Sequence, residues 1–276
     1  IPTPRMVSGD FSELLPGTNI YDPATYNASS RARQVFPGNV ISRNRFDPIG
    51  EKLASFYPAP NKPGLTQNFL YNPAEISNRD RWDIKIDHAI DSRNNLTGRY
   101  SYQKDREPAA LNLPAPAWGG GGRDFTTTGY NVMAGYNRIF SPRLVLSTKL
   151  SWNAILTRSD PPVDRSINAE LGLRGVDTST AGMAPFNMTG YQSLGIGSTT
   201  PNNADSQNRQ AIADLIWMHG KHSIKTGANL SWMQAHLSNP NQALGVFSFD
   251  GGYSRNTLTL EEVDTVFHFA AQTSVS

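Results

Sequence analysis

Cysteine is absent from all 276 residues. Disulfide frameworks, thiolate zinc sites, iron–sulfur clusters and cysteine nucleophiles go with it, while the redox compartment stays open. Charge is sparse: 17% of the residues are Asp, Glu, Lys or Arg, against roughly 25% in an ordinary soluble domain. The 25 basic and 23 acidic residues nearly cancel, leaving a formal +2, and no basic block occurs. Nucleic acid needs a concentrated basic stripe, so it is not an expected partner. Long apolar runs are missing too. Leu215-Ile216-Trp217-Met218 is typical of what there is, whereas a membrane helix needs about 20 apolar residues. Helical spanning is excluded. Spanning by strands is not, because barrel strands alternate and keep hydropathy low.

What is present points to β-structure. The chain has 23 Gly, 19 Pro, 23 Asn and 10% aromatic residues. That is too aromatic for disorder, and suits an all-β chain with long polar loops. Residues 1–79 are dominated by turn chemistry: Asp22-Pro23, Phe36-Pro37-Gly38-Asn39, Asp47-Pro48, Tyr57-Pro58-Ala59-Pro60 and Asn72-Pro73. Each Pro fixes its own φ and pushes its predecessor toward extended geometry, so regular elements are broken repeatedly. One short helix is expected near 47–57, with Asp47 as N-cap and Pro48 at the first helical position. The start at Ile1-Pro2, without Met or leader, reads as a piece of a longer chain.

From residue 80 to 255 the texture changes to strands and loops. Trp82, Ile84, Ile86, His88 and Ile90 alternate with Arg81, Asp83, Lys85, Asp87 and Ala89, a period-2 strand with one apolar and one charged face. Asp91 to Asn95 turns the chain, and Leu96, Gly98, Tyr100 and Tyr102 return it. A second hairpin joins Tyr130–Tyr136 to Leu144–Leu156 through Ser141-Pro142-Arg143. A third joins Ala213–Trp217 to Ile224–Trp232 through His219-Gly220-Lys221-His222, and a weaker strand covers 245–249. Connections within hairpins are short; those between hairpins, 105–127 and 158–208, are long. Compact soluble domains rarely hold structureless loops beyond about 15 residues, whereas outer-membrane barrels alternate short periplasmic turns with long extracellular loops. Aromatics near the strand ends fit interfacial girdles. The expected fold is therefore all-β, a partial antiparallel outer-membrane β-barrel of about six or seven strands with long extracellular loops. Residues 256–276 form an atypical tail. A soluble antiparallel sheet with one wet face would alternate in the same way; the loop asymmetry favours the membrane.

Candidate chemistry is thin. His219 and His222 flank a tight turn with no third ligand nearby, so a solvated turn is favoured over a metal site. Gly119 to Gly122 lacks the Gly-Lys-Ser/Thr that a phosphate loop needs and reads as a flexible loop tip. Asp83, Asp87 and Asp91 with Arg81 and Lys85 form a charged row, assigned to a polar barrel lumen rather than to acid–base catalysis. No Gly-x-Ser-x-Gly elbow occurs. No catalytic, cofactor or metal residue is expected, and the chain is not read as an enzyme. Recognition belongs to the long loops. There Met183, Phe186, Met188 and Tyr191 are the candidate ligand-binding residues; packing of the loop against its neighbours is the competing reading.

The residues also carry a family resemblance. Pro4-Arg5-Met6-Val7-Ser8-Gly9-Asp10-Phe11-Ser12, Ile20-Tyr21-Asp22-Pro23-Ala24-Thr25 and Phe36-Pro37-Gly38-Asn39-Val40-Ile41 follow one another in order. Arg45-Phe46-Asp47-Pro48-Ile49, Phe56-Tyr57-Pro58-Ala59-Pro60-Asn61, Asp83 to His88, Leu96 to Ser101 and Gly220 to Gly227 continue the series. Together they resemble the Oar-like TonB-dependent outer-membrane receptors, which carry a carboxypeptidase-regulatory-like domain, a plug and a 22-stranded barrel. The resemblance implies the cell outer membrane, contact with its lipid, and energy-coupled import of an unknown extracellular ligand. TonB would act through a plug preceding residue 1. The alternative is a structural or adhesive barrel protein without transport. Residues 263–272, Val-Asp-Thr-Val-Phe-His-Phe-Ala-Ala-Gln, are instead similar to a segment of NAD-dependent nucleotide-sugar epimerases and dehydratases. That third reading rests on ten residues, without the Gly-rich turn a dinucleotide requires.

Overall fold

A computed structural model of the chain describes residues 1–197, 201–238, 242 and 244–251. The tail at 256–276, and with it the epimerase-like segment 263–272, lies outside the described residues.

Six long strands form one antiparallel meander: β1 (Asn78–Asp91), β2 (Asn94–Glu107), β3 (Asp124–Ser141), β4 (Leu144–Asp160), β6 (Asn202–His219) and β7 (His222–Ser238). Each pairs with the next in continuous register. The three hairpins turn through two residues each, at Ser92-Arg93, Pro142-Arg143 and Gly220-Lys221. At the first of these, Asp91 Oδ1 accepts from the Arg93 N–H at 2.7 Å, the side-chain turn that makes Asp common at such sites. Among the described residues β1 and β7 each pair on one side only. The sheet is an open section of barrel wall. No described helix is long and apolar enough to cross a membrane; the strands are what cross.

Register turns the sequence alternation into two continuous faces. On one, Trp82 lies opposite Tyr102, Tyr102 opposite Tyr130, Val132 opposite Trp152, Leu150 opposite Ala211 and Ala211 opposite Leu230. This face is apolar and open: Leu230 keeps 71% and Trp232 68% of its surface exposed. Aromatic rings mark its upper limit, with Tyr102 and Tyr130 centroids 5.5 Å apart and Tyr130 and Trp152 6.0 Å apart. From Ile224 to Trp232 is about 27 Å along the strand, or about 20 Å after projecting a tilt of roughly 40°. That is most of the roughly 25 Å apolar band of an outer-membrane barrel.

The strands run 14 to 18 residues, longer than the alternating stretches read from the sequence and longer than the roughly 9–11 needed to cross. The surplus is at the end away from the tight turns. There the apolar face becomes charged: Asp80 opposite Lys104, and Arg158 paired with Asp205. Period-2 hydrophobicity ends at that boundary, so the sequence pattern understates the strands.

The opposite face is polar. Asp83 receives Arg99 and Ser101, and Asp87 receives Lys85 at 2.7 Å and Thr97 at 2.7 Å. Arg79 donates to Asp105 at 2.8 Å and Gln210 to Asn229 at 3.0 Å. Of the charged row read from the sequence, Asp83 and Asp87 are hydrogen-bonded on this face and Asp91 is taken up by the turn.

Every long connection leaves from the same end. Residues 1–77, 108–123 and 161–197 meet there and fold against one another, together with the described residues from 242 onward. They carry three short helices, α1 (Pro4–Val7), α2 (Pro48–Ala54) and α3 (Ile167–Leu171). They also hold two short strands, β5 (Phe186–Met188) and β8 (Phe247–Phe249), which pair in parallel. The helix expected near 47–57 is α2, with Asp47 Oδ1 accepting from the N–H groups of Ile49 and Gly50 at 2.9 and 3.0 Å. The weak strand expected at 245–249 is β8. It belongs to this loop assembly rather than to the wall.

Candidate functional site

The loop assembly, not the wall, contains the buried cores. One cluster joins Leu53 and Tyr57 of the first segment, Leu113, Ala117 and Trp118 of the second, and Ile167, Met183, Phe186, Leu194 and Ile196 of the third. Leu244 closes it from the far end of the chain. A smaller cluster within the first segment comprises Met6, Phe11, Ile20, Tyr21, Phe36 and Ile41. Segments distant in sequence thus condense into one cap over the outer end of the wall.

Buried amides tie the cap together, because buried polar groups without partners are costly. Asn168 is fully buried. Its Nδ2 donates to the carbonyls of Asp177 and Leu244, both at 3.0 Å, and its Oδ1 accepts from Ala184 N–H at 2.9 Å. Asn39 does the same for the first segment, accepting from Ile20 N–H at 3.0 Å and donating to the Thr18 carbonyl at 2.7 Å. The Tyr57 hydroxyl donates to the Gln192 carbonyl at 2.5 Å, and burial pushes its pKa up. Neither asparagine stands out in the sequence. A side chain that satisfies distant backbone groups has no periodicity to betray it.

Gly119 to Gly122 is not a loose tip. The Gly120 N–H donates to the Gly195 carbonyl and the Gly195 N–H to the Ala117 carbonyl, both at 2.9 Å, locking the second segment to the third. A Cβ on Gly119 would lie 2.7 Å from that of Asn112, and one on Gly195 only 2.1 Å from the Ala184 oxygen. The glycines are there for close backbone approach, which the sequence cannot distinguish from flexibility.

The four candidate ligand residues lie together in this cap. Met183 and Phe186 are buried, Met188 nearly so, and the Phe186 ring stacks on Phe247 at 4.8 Å. Tyr191 is half-buried and packs against both clusters, its hydroxyl 3.4 Å from the Met6 sulfur. In this conformation they join the segments. Ion pairs order the first segment. Arg45 donates twice to Asp22, at 2.8 and 2.9 Å, and lies 5.6 Å over the Phe36 ring. These hydrogen bonds hold the Asp22 carboxyl below the usual range. Asp10 is lowered to about 2 by the Ser12 hydroxyl and N–H, and then by Arg5. Both are anionic at any physiological pH. Among the described residues no cluster of three or more His, Asp or Glu side chains could hold a metal ion. His219 and His222 face each other across the turn at the opposite end of the wall.

An apolar band bounded by aromatics, a polar inner face and all long connections at one end are together the architecture of an outer-membrane barrel. The family comparison agrees, matching the Outer membrane beta barrel domain over residues 1–273. The chain belongs to that family. This outer-membrane β-barrel domain therefore resides in the outer membrane, and the match includes the cap as well as the wall. No curated protein matches the chain significantly.

Proposed function

We propose that this barrel domain is part of a TonB-dependent receptor, importing an extracellular ligand that the cap captures. The observation that carries the reading is the folded cap: the long connections condense at the outer end into one packed body, while the wall itself has no core. A receptor needs a shaped outer surface above a wide lumen, and the six strands are a section of such a wall. The ion-paired inner face suits a lumen filled by a plug, with which its charges would pair. The ordered motif series of the Oar-like receptors supports the same reading. The chain's own role is to bind and to enclose, not to catalyse.

The test uses the full-length protein purified from its outer membrane, with surface plasmon resonance against the periplasmic domain of TonB from the same cell. Saturable binding, lost when the plug's N-terminal segment is removed, is expected. Absence of binding overturns the proposal. If cells in addition lose surface adhesion when the gene is deleted, the adhesive reading replaces it.

A further inference from the structure

The lipid-facing side of the wall is not uniform. Register places Leu150 and Leu230 on either side of Ala211, and Trp152 and Trp232 on either side of Arg209. Strand β6 therefore presents the small Ala211 between the large side chains of Leu150 on β4 and Leu230 on β7. The result is a groove of about 720 Å³ lined from β3, β4, β6 and β7, with Arg209 in its upper row. Along β6, from Ala211 to Arg209, it runs about 7 Å.

Arg209 is out of place on that face. Arg is excluded from lipid-facing positions unless it reaches an interface or finds an anion. Its Nη1 donates to Gln234 Oε1 at 3.1 Å. No ion pair of Arg209 occurs among the described residues. Asp205, four residues further up β6 on the same face, is already held by Arg158. The guanidinium lies level with the aromatic girdle on the cap side, where the headgroups of the outer leaflet begin.

We propose that this groove binds one molecule of a phosphorylated outer-leaflet glycolipid, of the lipid A class. Part of an acyl chain lies over Ala211 between Leu150 and Leu230, and a headgroup phosphate is received by Arg209 between Trp152 and Trp232. The planar guanidinium suits a phosphate, which it binds through paired, charge-assisted hydrogen bonds. The apolar ridges fix where the chain runs. The site rests on the membrane-spanning wall alone and does not depend on whether the barrel transports.

The experiment is native mass spectrometry of the full-length protein, delipidated in detergent and titrated with diphosphoryl lipid A or with its fully dephosphorylated form. One bound diphosphoryl molecule is expected, with affinity about tenfold above that of the dephosphorylated form, a difference of about 1.4 kcal/mol. Arg209→Gln removes that preference, Arg209→Lys restores part of it, and Ala211→Phe, which fills the groove, weakens both ligands. Excess inorganic phosphate leaves the bound lipid in place. Equal affinity for the two lipids, an Arg209→Gln protein that keeps the preference, or displacement by inorganic phosphate each overturns the proposal.

Discussion

The wall and the cap solve the burial problem in opposite ways. Wall side chains such as Ile86, Leu150 and Trp232 are more than 60% exposed, because their apolar partner is the bilayer. Cap side chains such as Phe11, Met183 and Phe186 are almost wholly enclosed, because the outer end of the barrel meets water. The wall is held by backbone ladders between neighbours in sequence. The cap is held by side chains drawn from segments over a hundred residues apart, as in the bond from Lys52 Nζ to the Glu170 carbonyl at 2.8 Å. One sequence thus carries a solvent-defined part and a self-packed part, and they should respond differently to perturbation.

The largest expected effect separates them in the cap. Phe186→Ala removes a fully enclosed ring stacked on Phe247, which costs about 3–5 kcal/mol for such truncations. Hydrogen exchange on the intact protein should show protection lost across residues 161–197 while β3 and β4 keep theirs. Loss in both would mean that wall and cap unfold as one unit.

A smaller effect is expected in the wall, and it depends on the face. Leu230→Arg places a charge within the apolar band and should destabilise by about 2–4 kcal/mol. Asn229→Arg, one residue away on the polar face, should change stability little. Urea titration of the full-length protein folded into phospholipid vesicles reads both. Equal costs would show that the assignment of faces is wrong.

The smallest effect is electrostatic. The Asp22 carboxyl has its pKa lowered in the fold, chiefly by hydrogen bonds from Arg45. Its contribution is present above the unfolded carboxylate value of about 3.9 and is lost as the pH falls through the lower folded value. The pair is partly exposed, with Arg45 at 34%, so the contribution is about 1 kcal/mol or less. Acid titration of cap protection between neutral pH and that range should show a loss at the first segment. Asp22→Asn should make this loss independent of pH. Persistence of the pH dependence in that variant would assign it to another carboxylate.

The hairpins were legible because their code is local: alternation at 82–90 and 96–102, a turn between, and a second face that is charged. The α2 helix was legible for the same reason, through Asp47 and Pro48. The cap was legible only as long loops. Met183, Phe186, Met188 and Tyr191 drew attention as apolar residues in a loop, and the structure gathers them, the first three in the packed interior and Tyr191 half-buried at its edge. Nothing in the spacing of Asn168, Gly195 or Leu244 announces that they meet.

The sequence alone determined that the chain lacks helical spans, that it alternates with period 2, and that its connections are short and long by turns. Those properties follow from strand geometry, in which neighbouring residues face opposite sides and need no distant contact to be read. Only the tertiary structure decided the register that joins the apolar and charged faces of single strands into two continuous faces of one wall. It also decided that the strands outrun the bilayer and that four separate segments close into a cap. Those facts depend on register and long-range packing, where each contact joins residues that have no fixed spacing along the chain.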